Sequence, residues 1–365
     1  MNENQKIITT KFQALELPLI RDVKSKEWIL FGEYNLFPQK MIQLYQESAI
    51  HHTAVDVITQ NIYGKGIEVI GDMIQNLNQE SLNEIYEKIS LDYTLFTGYA
   101  LNVIWSKDGN KIAEIYHLPF NNVRSGKLNE DDKVETYFYS SDWVDTRKYK
   151  PKEYKCFDPL DNKGDNASQI FYFYNYTVGN DYYPLPTYMA AVNDIELDSR
   201  IAKFHNANIS NGLAPSMFIK FRNGIPTPEA RAEIYREIEE TFTGETNAGR
   251  FFLSFSDPGN EMEVEPIQNT NDQYYITLDE RITSRILTAH RITSPLLLGV
   301  KVSGDGFSSN ADEIQVAYSH FEGVVVAPKR KKILNSLKYL LKFKGYNVDV
   351  SVEPNNIEIK ITTND

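Results

Sequence analysis

The chain has 365 residues, 41% of them hydrophobic and 24% charged, which suits two or three folded domains and argues against a disordered polymer. Its 38 basic and 50 acidic side chains leave a formal charge of −12, the wrong balance for a simple DNA clamp, which gains affinity from excess Lys and Arg. The longest apolar runs, such as residues 324–327, fall far short of a bilayer span, and the lone Cys156 cannot form an internal disulfide.

Residues 1–27 are polar and mixed and read as a loosely tied arm, with no apolar signal core that would predict export. Residues 28–186 read as a mixed α/β unit. Pro38 opens a helix over 39–62 whose apolar face carries Ile42, Tyr45, Ala49, Val55 and Ile58, and Gly64 and Gly66 stop it. A short strand is expected at 67–70 and a second helix at 78–96, with Leu82, Ile85, Ile89, Tyr93 and Phe96 on one side. Five short β segments follow at 100–105, 112–118, 135–139, 152–157 and 170–174, separated by turn sequences such as Asp108-Gly-Asn110. Tyr182-Tyr-Pro-Leu-Pro-Thr187 is a stiff junction, because each proline restricts itself and its predecessor.

Residues 187–210 predict a long helix of about 36 Å at 1.5 Å per residue. Acidic Asp194, Glu196 and Asp198 precede basic Arg200 and Lys203, an order that complements the helix dipole. Residues 215–268 predict a compact insertion of strand, helix and two strands. Thr227-Pro-Glu229 supplies an N-cap hydroxyl, a proline at the first position and an early acid, and Gly244 closes the helix. The chain then returns in a second rod over 272–293, where Tyr275, Leu278, Ile282, Ile286 and Ala289 share a face and Pro295 ends the periodicity. A Gly/Ser-rich loop and a capping-box-like Ser309-x-x-Asp312 lead into further helices up to residue 343, and strand-like segments stand at 348–352 and 357–361.

No catalytic signature stands in this chain. It has no P-loop, no H-E-x-x-H, no paired C-x-x-C and no G-x-S-x-G. Of the six histidines only His51 and His52 are adjacent, and helix neighbours point about 100° apart, a poor chelate. Asp305, Asp312 and Glu313 gather near the Gly/Ser loop and leave open a Mg²⁺-dependent nuclease or hydrolase, against the simpler reading of capping and solubility. No cofactor and no metal are expected.

The order of several short motifs resembles the portal, or head-to-tail connector, proteins of tailed bacteriophages. These are Ile292-Thr-Ser-Pro295-Leu-Leu-Leu-Gly299, Ser309-Asn-Ala-Asp-Glu313, and Pro328 before Lys329-Arg-Lys-Lys332, with Tyr183-Pro-Leu-Pro186-Thr187 and Gly244-Glu-Thr-Asn-Ala-Gly249-Arg250 upstream. The resemblance is best over residues 183–335. It implies an α+β fold with an N-terminal arm (1–27), a mixed α/β wing (28–186), a first stem helix (187–214), a clip (215–270), a second stem helix (271–293), a tunnel loop (294–309), C-terminal wing helices (310–343) and a short C-terminal strand segment (344–365) with at most a small crown.

The same resemblance implies a non-enzymatic ring, usually a dodecamer, at one capsid vertex of a virion made in the host cytoplasm. Its partners would be further copies of itself, double-stranded DNA in the channel, the terminase large subunit, capsid and scaffold proteins and a tail adaptor, with no membrane. Its roles would be genome packaging, tail attachment and genome ejection. A negative wall suits a conduit through which DNA must slide. The loop residues Lys301, Val302, Ser303, Gly304, Asp305, Gly306, Phe307 and Ser308 would narrow that channel. Arg231, Arg236, Glu237 and Glu240 would lie on the clip's partner-facing helix, and Lys329, Arg330, Lys331 and Lys332 would form a phosphate-facing basic cluster. Another virion component, such as a tail adaptor, is the remaining alternative.

Overall fold

In a computed structural model the described residues are 20–210, 217–221, 227–242, 251–255, 263–266, 272–299 and 311–355. The chain divides into two compact units, Met1–Ile195 with Arg285–Asp365, and Glu196–Ser284.

The first unit opens with a small antiparallel pair, β1 (Ile20–Arg21) and β2 (Leu30–Phe31). The single helix expected over 39–62 is two helices, α1 (Phe37–Glu47) and α2 (Ala49–Tyr63). Ser48 breaks the run: its backbone is extended and its hydroxyl accepts from the His51 amide at 3.2 Å, capping α2. The second helix, α3 (Leu82–Phe96), starts later than expected because Ser81 and Glu84 form a reciprocal capping box. The strand expected at 67–70 is a turn region. Gly64 and Gly66 both take positive φ there, and only Ile67 makes a β-bridge, to Val352.

A six-stranded sheet covers one side of these helices. Its strands are β3 (Gly98–Trp105), β4 (Ile112–Leu118), β5 (Val123–Ser125), β6 (Thr136–Tyr139), β7 (Lys152–Cys156) and β8 (Ser168–Tyr174). They lie in the order β4-β3-β8-β7-β6-β5, with only β7 and β8 parallel. All five expected segments match to within two residues, and β5 is additional. Tyr183 pins this sheet to the N-terminal pair: its ring stacks on Phe31 at 4.1 Å, its hydroxyl donates to the Ile29 carbonyl at 2.6 Å and accepts from the Ser125 amide at 2.9 Å.

The long helix α4 (Val192–Ser210) follows a 3₁₀ turn at Met189–Ala191. In the second unit, β9 (Met217–Phe221), α5 (Pro228–Phe242), β10 (Phe251–Phe255) and β11 (Glu263–Pro266) make a three-stranded sheet ordered β10-β9-β11. β9 and β10 are parallel, as a helical crossover requires, and β11 is antiparallel to β9. The chain continues through α6 (Asp272–Ala289).

α7 (Ala311–Phe321) and α8 (Ala327–Lys344) are joined by a π-turn at Glu322–Val326, so the rod never stops. Pro328 explains the wide turn. It has no amide hydrogen for the Val324 carbonyl and its ring would crowd that turn, so the ladder widens just before it, with the Ala327 amide reaching Glu322 five residues back. From α8, Ile333, Leu337, Leu340 and Leu341 join Ile58, Ile62, Ile85, Ile89, Tyr99 and Val103 in one buried core. The C-terminal segment expected as a strand at 348–352 forms only the Ile67–Val352 bridge among the described residues, and 357–361 lies outside them.

Candidate functional site

The motif-rich stretch is held to the first unit at both ends. α6 ends where His290 meets His51 and Tyr188. His51 Nδ1 lies 2.9 Å from His290 Nε2, and the Tyr188 ring sits 4.5 Å from one imidazole and 5.0 Å from the other. Tyr188 donates to the Leu95 carbonyl at 2.7 Å. All three side chains are buried, and a hydrogen bond between two imidazoles needs at least one neutral ring. Burial lowers His51 to about 3 and also lowers His290 well below the usual histidine range, so the pair is uncharged at neutral pH. Close by, Arg285 Nε approaches Asp194 Oδ2 at 3.3 Å, joining the last turn of α6 to the first turn of α4.

Beyond this point the helix gives way to a turn. Arg291 adopts a left-handed backbone with φ +58°, Ser294 caps a 3₁₀ turn at Pro295–Leu298, and Gly299 leaves it at φ +73°. The side chains of Leu297 and Leu298 pack on the main core, so the apolar Leu-Leu-Leu run anchors the approach to the loop. Lys301, Val302, Ser303, Gly304, Asp305, Gly306, Phe307 and Ser308 lie outside the described residues. On the return side Tyr318 hydrogen-bonds Asn61 and the Asn355 carbonyl, and Phe321 is buried.

The basic run that follows is not one face. Arg330 turns inward and is buried: its guanidinium donates to Glu322 and to the carbonyls of Asn61 and Ile62 at the end of α2. It therefore ties α8 to the end of α2 and does not face a phosphate. Lys331 is exposed, and Lys332 donates to Asn175 Oδ1 at 3.0 Å. Lys329 is largely covered and lines a cleft with room for about 180 Å³ beside Arg291, Asn175 and Thr97. Burial, helped by Arg291, lowers its ammonium to about 8. These cations do not crowd a positive helix end, because the helix has already run from Ala311.

In the second unit Arg231, Arg236 and Glu237 are exposed on α5, and Glu240 lies on the same helix. Among the described residues no group of three or more His, Cys, Asp or Glu side chains converges as a metal site, and no helix is long and apolar enough to cross a membrane. Sequence reading missed His51, His290 and Tyr188 as a unit. They lie on three separate helices or turns, and the signal available was only a Tyr and a His at helix ends.

No protein-family model matches the chain. It is 27% identical over 290 residues to an uncharacterized protein of Rickettsia bellii (strain RML369-C), covering 76% of this chain and 70% of that one. It is 25% identical over 294 residues to an uncharacterized protein of Rickettsia felis (strain ATCC VR-1525 / URRWXCal2), with the same coverage. Among solved structures it is similar to a chain in the virion of a native gene transfer agent (GTA) particle, with TM-score 0.58 at 17% identity over 87% of this chain and 84% of that one. A chain from the neck of the native GTA particle, computed with C12 symmetry, gives TM-score 0.57 at 17% identity over the same shares. The chain thus has the α+β fold of a phage-like particle's neck protein. The resemblance read from the motifs and the likeness of the structures agree on that fold.

Proposed function

We propose that the protein is a portal: a ring of identical chains through which double-stranded DNA enters and leaves a phage-like head. One observation carries this reading. The chain shares its fold over 87% of its length with a protein of a particle neck whose structure was computed with C12 symmetry. That symmetry favours a twelve-membered ring, as the motif order does. In this reading the chain supplies a conduit and no bond chemistry. A separate terminase drives the DNA, the second unit faces that motor and later the tail adaptor through Arg231, Arg236, Glu237 and Glu240, and residues 301–308 narrow the channel.

The anchoring described above suits this role. A loop that meets moving DNA needs fixed ends, and Leu297, Leu298, Tyr318 and Phe321 tie both flanks to the wing core. The acidic balance of −12 would keep the duplex from adhering to the wall. Electron microscopy of the purified protein, over a range of concentrations and with scaffold protein added, tests the proposal. Annular particles with a central hole are the expected result. Compact monomers under every condition overturn it.

A further inference from the structure

The cleft at the start of α8 collects positive charge without a counter-charge. Arg291 and Lys329 line it, and Lys332 reaches its edge through Asn175. Among the described residues neither Arg291 nor Lys329 has a carboxylate at ion-pair distance, and the nearest acid along the helix, Glu322, is taken by Arg330. Hydrogen-bond donors point the same way. Thr97 is buried, and its hydroxyl has no partner. The Tyr93 hydroxyl accepts from Asn175 Nδ2 at 2.6 Å, which leaves its own proton available to the cleft.

Leaving a covered ammonium next to a guanidinium is costly unless an anion joins them. We infer that this cleft is an anion site, and that its occupant is a carboxylate side chain of a second copy of this chain. Charge complementarity selects that occupant. The chain carries 50 acidic side chains against 38 basic ones, so each copy presents a surplus of carboxylates to its neighbours. A duplex instead presents one charge per about 1.7 Å of axis, and proteins that grip it answer with an extended row of cations. Here the cations surround one small concavity. The lowered Lys329 ammonium fits the same picture, since an arriving carboxylate would raise it back toward the ordinary lysine range.

The inference rests on the ring assembly proposed above, and two measurements separate the two ideas. The first uses inorganic phosphate as a probe on the unassembled protein. Phosphate should raise the melting temperature above that in chloride of equal ionic strength, and Lys329→Met and Arg291→Asn should abolish the difference while melting cooperatively. Arg291→Asn keeps a residue that tolerates positive φ. No phosphate-specific shift in the wild type overturns the site. The second is ring yield by analytical ultracentrifugation, which should fall at least tenfold in both variants. Rings formed at wild-type yield overturn the carboxylate occupant, and so does loss of duplex binding at low salt with assembly intact. Absence of rings from the wild type as well overturns the portal reading and the second-copy occupant, while the phosphate shift still decides whether the cleft binds anions.

Discussion

Arg330 grips Glu322 with two nitrogens, at 2.6 and 3.2 Å, across the π-turn that separates them by eight residues. The pair is largely buried, with side-chain exposures of 7% and 18%, and the same guanidinium satisfies the last carbonyls of α2. Breaking such a pair leaves an uncompensated buried charge. Glu322→Gln should therefore cost about 3 kcal/mol or more in chemical denaturation. The double replacement Arg330→Met with Glu322→Leu should cost less than the single change, because no orphaned charge remains.

The His51–His290 pair makes stability depend on acid. His51 falls from 6.5 to about 3 in the folded chain, so between those values the unfolded chain binds a proton that the folded one refuses. Stability contributed by this group is present above pH 6.5 and is lost as pH falls toward 3, by up to about 1.4 kcal/mol per unit for one proton. His290 shifts in the same direction and steepens the loss. Denaturation series from pH 8 to pH 4 should show this slope, and His290→Asn should flatten it.

Gly64 closes α2 at φ +56°, and a Cβ there would stand 2.5 Å from the Glu353 carbonyl oxygen. Gly64→Ala should destabilise by more than about 1 kcal/mol, combining backbone strain with a clash. Hydrogen exchange should show the Lys65 amide, which donates to Glu353 at 3.0 Å, losing protection before the core of α2 does.

Under the portal reading, Phe307→Ala and Lys301→Ala act on DNA and not on the fold. Ring yield and melting temperature should stay at wild-type values, while the fraction of DNA-filled particles falls in a packaging assay. Equal filling would remove these residues from any role in the channel.

Periodic segments were legible where local chemistry decides the structure. β4 at 112–118 and the helix opened by Thr227-Pro-Glu229 needed only alternation and a capping signal. Ser48 was hidden inside an apolar pattern that continues across it, and the hydroxyl that ends one helix and starts another changes no periodicity. The strand expected at 67–70 failed because its glycines bend the backbone before β-branched residues can pair. Lys329-Arg-Lys-Lys332 reads as uniform charge along the chain, yet burial separates its members, since Glu322 and the end of α2 reach only Arg330. Likewise the histidine–tyrosine cluster joins positions 51, 188 and 290, a proximity that no local window contains.

The wide turn at Glu322–Val326 also fixes the azimuth of everything after it. A regular helix advances about 100° per residue, so deleting one residue there, with Pro328 still holding the ladder wide, would swing α8 by about that angle relative to α7. Arg330 would leave the carbonyls of α2, Lys329 would leave the cleft, and the leucines that close the main core would face elsewhere. Residue count through this segment is therefore a constraint in its own right, beside the side chains of Glu322, Val325 and Val326, which are already committed to Arg330 and to the core.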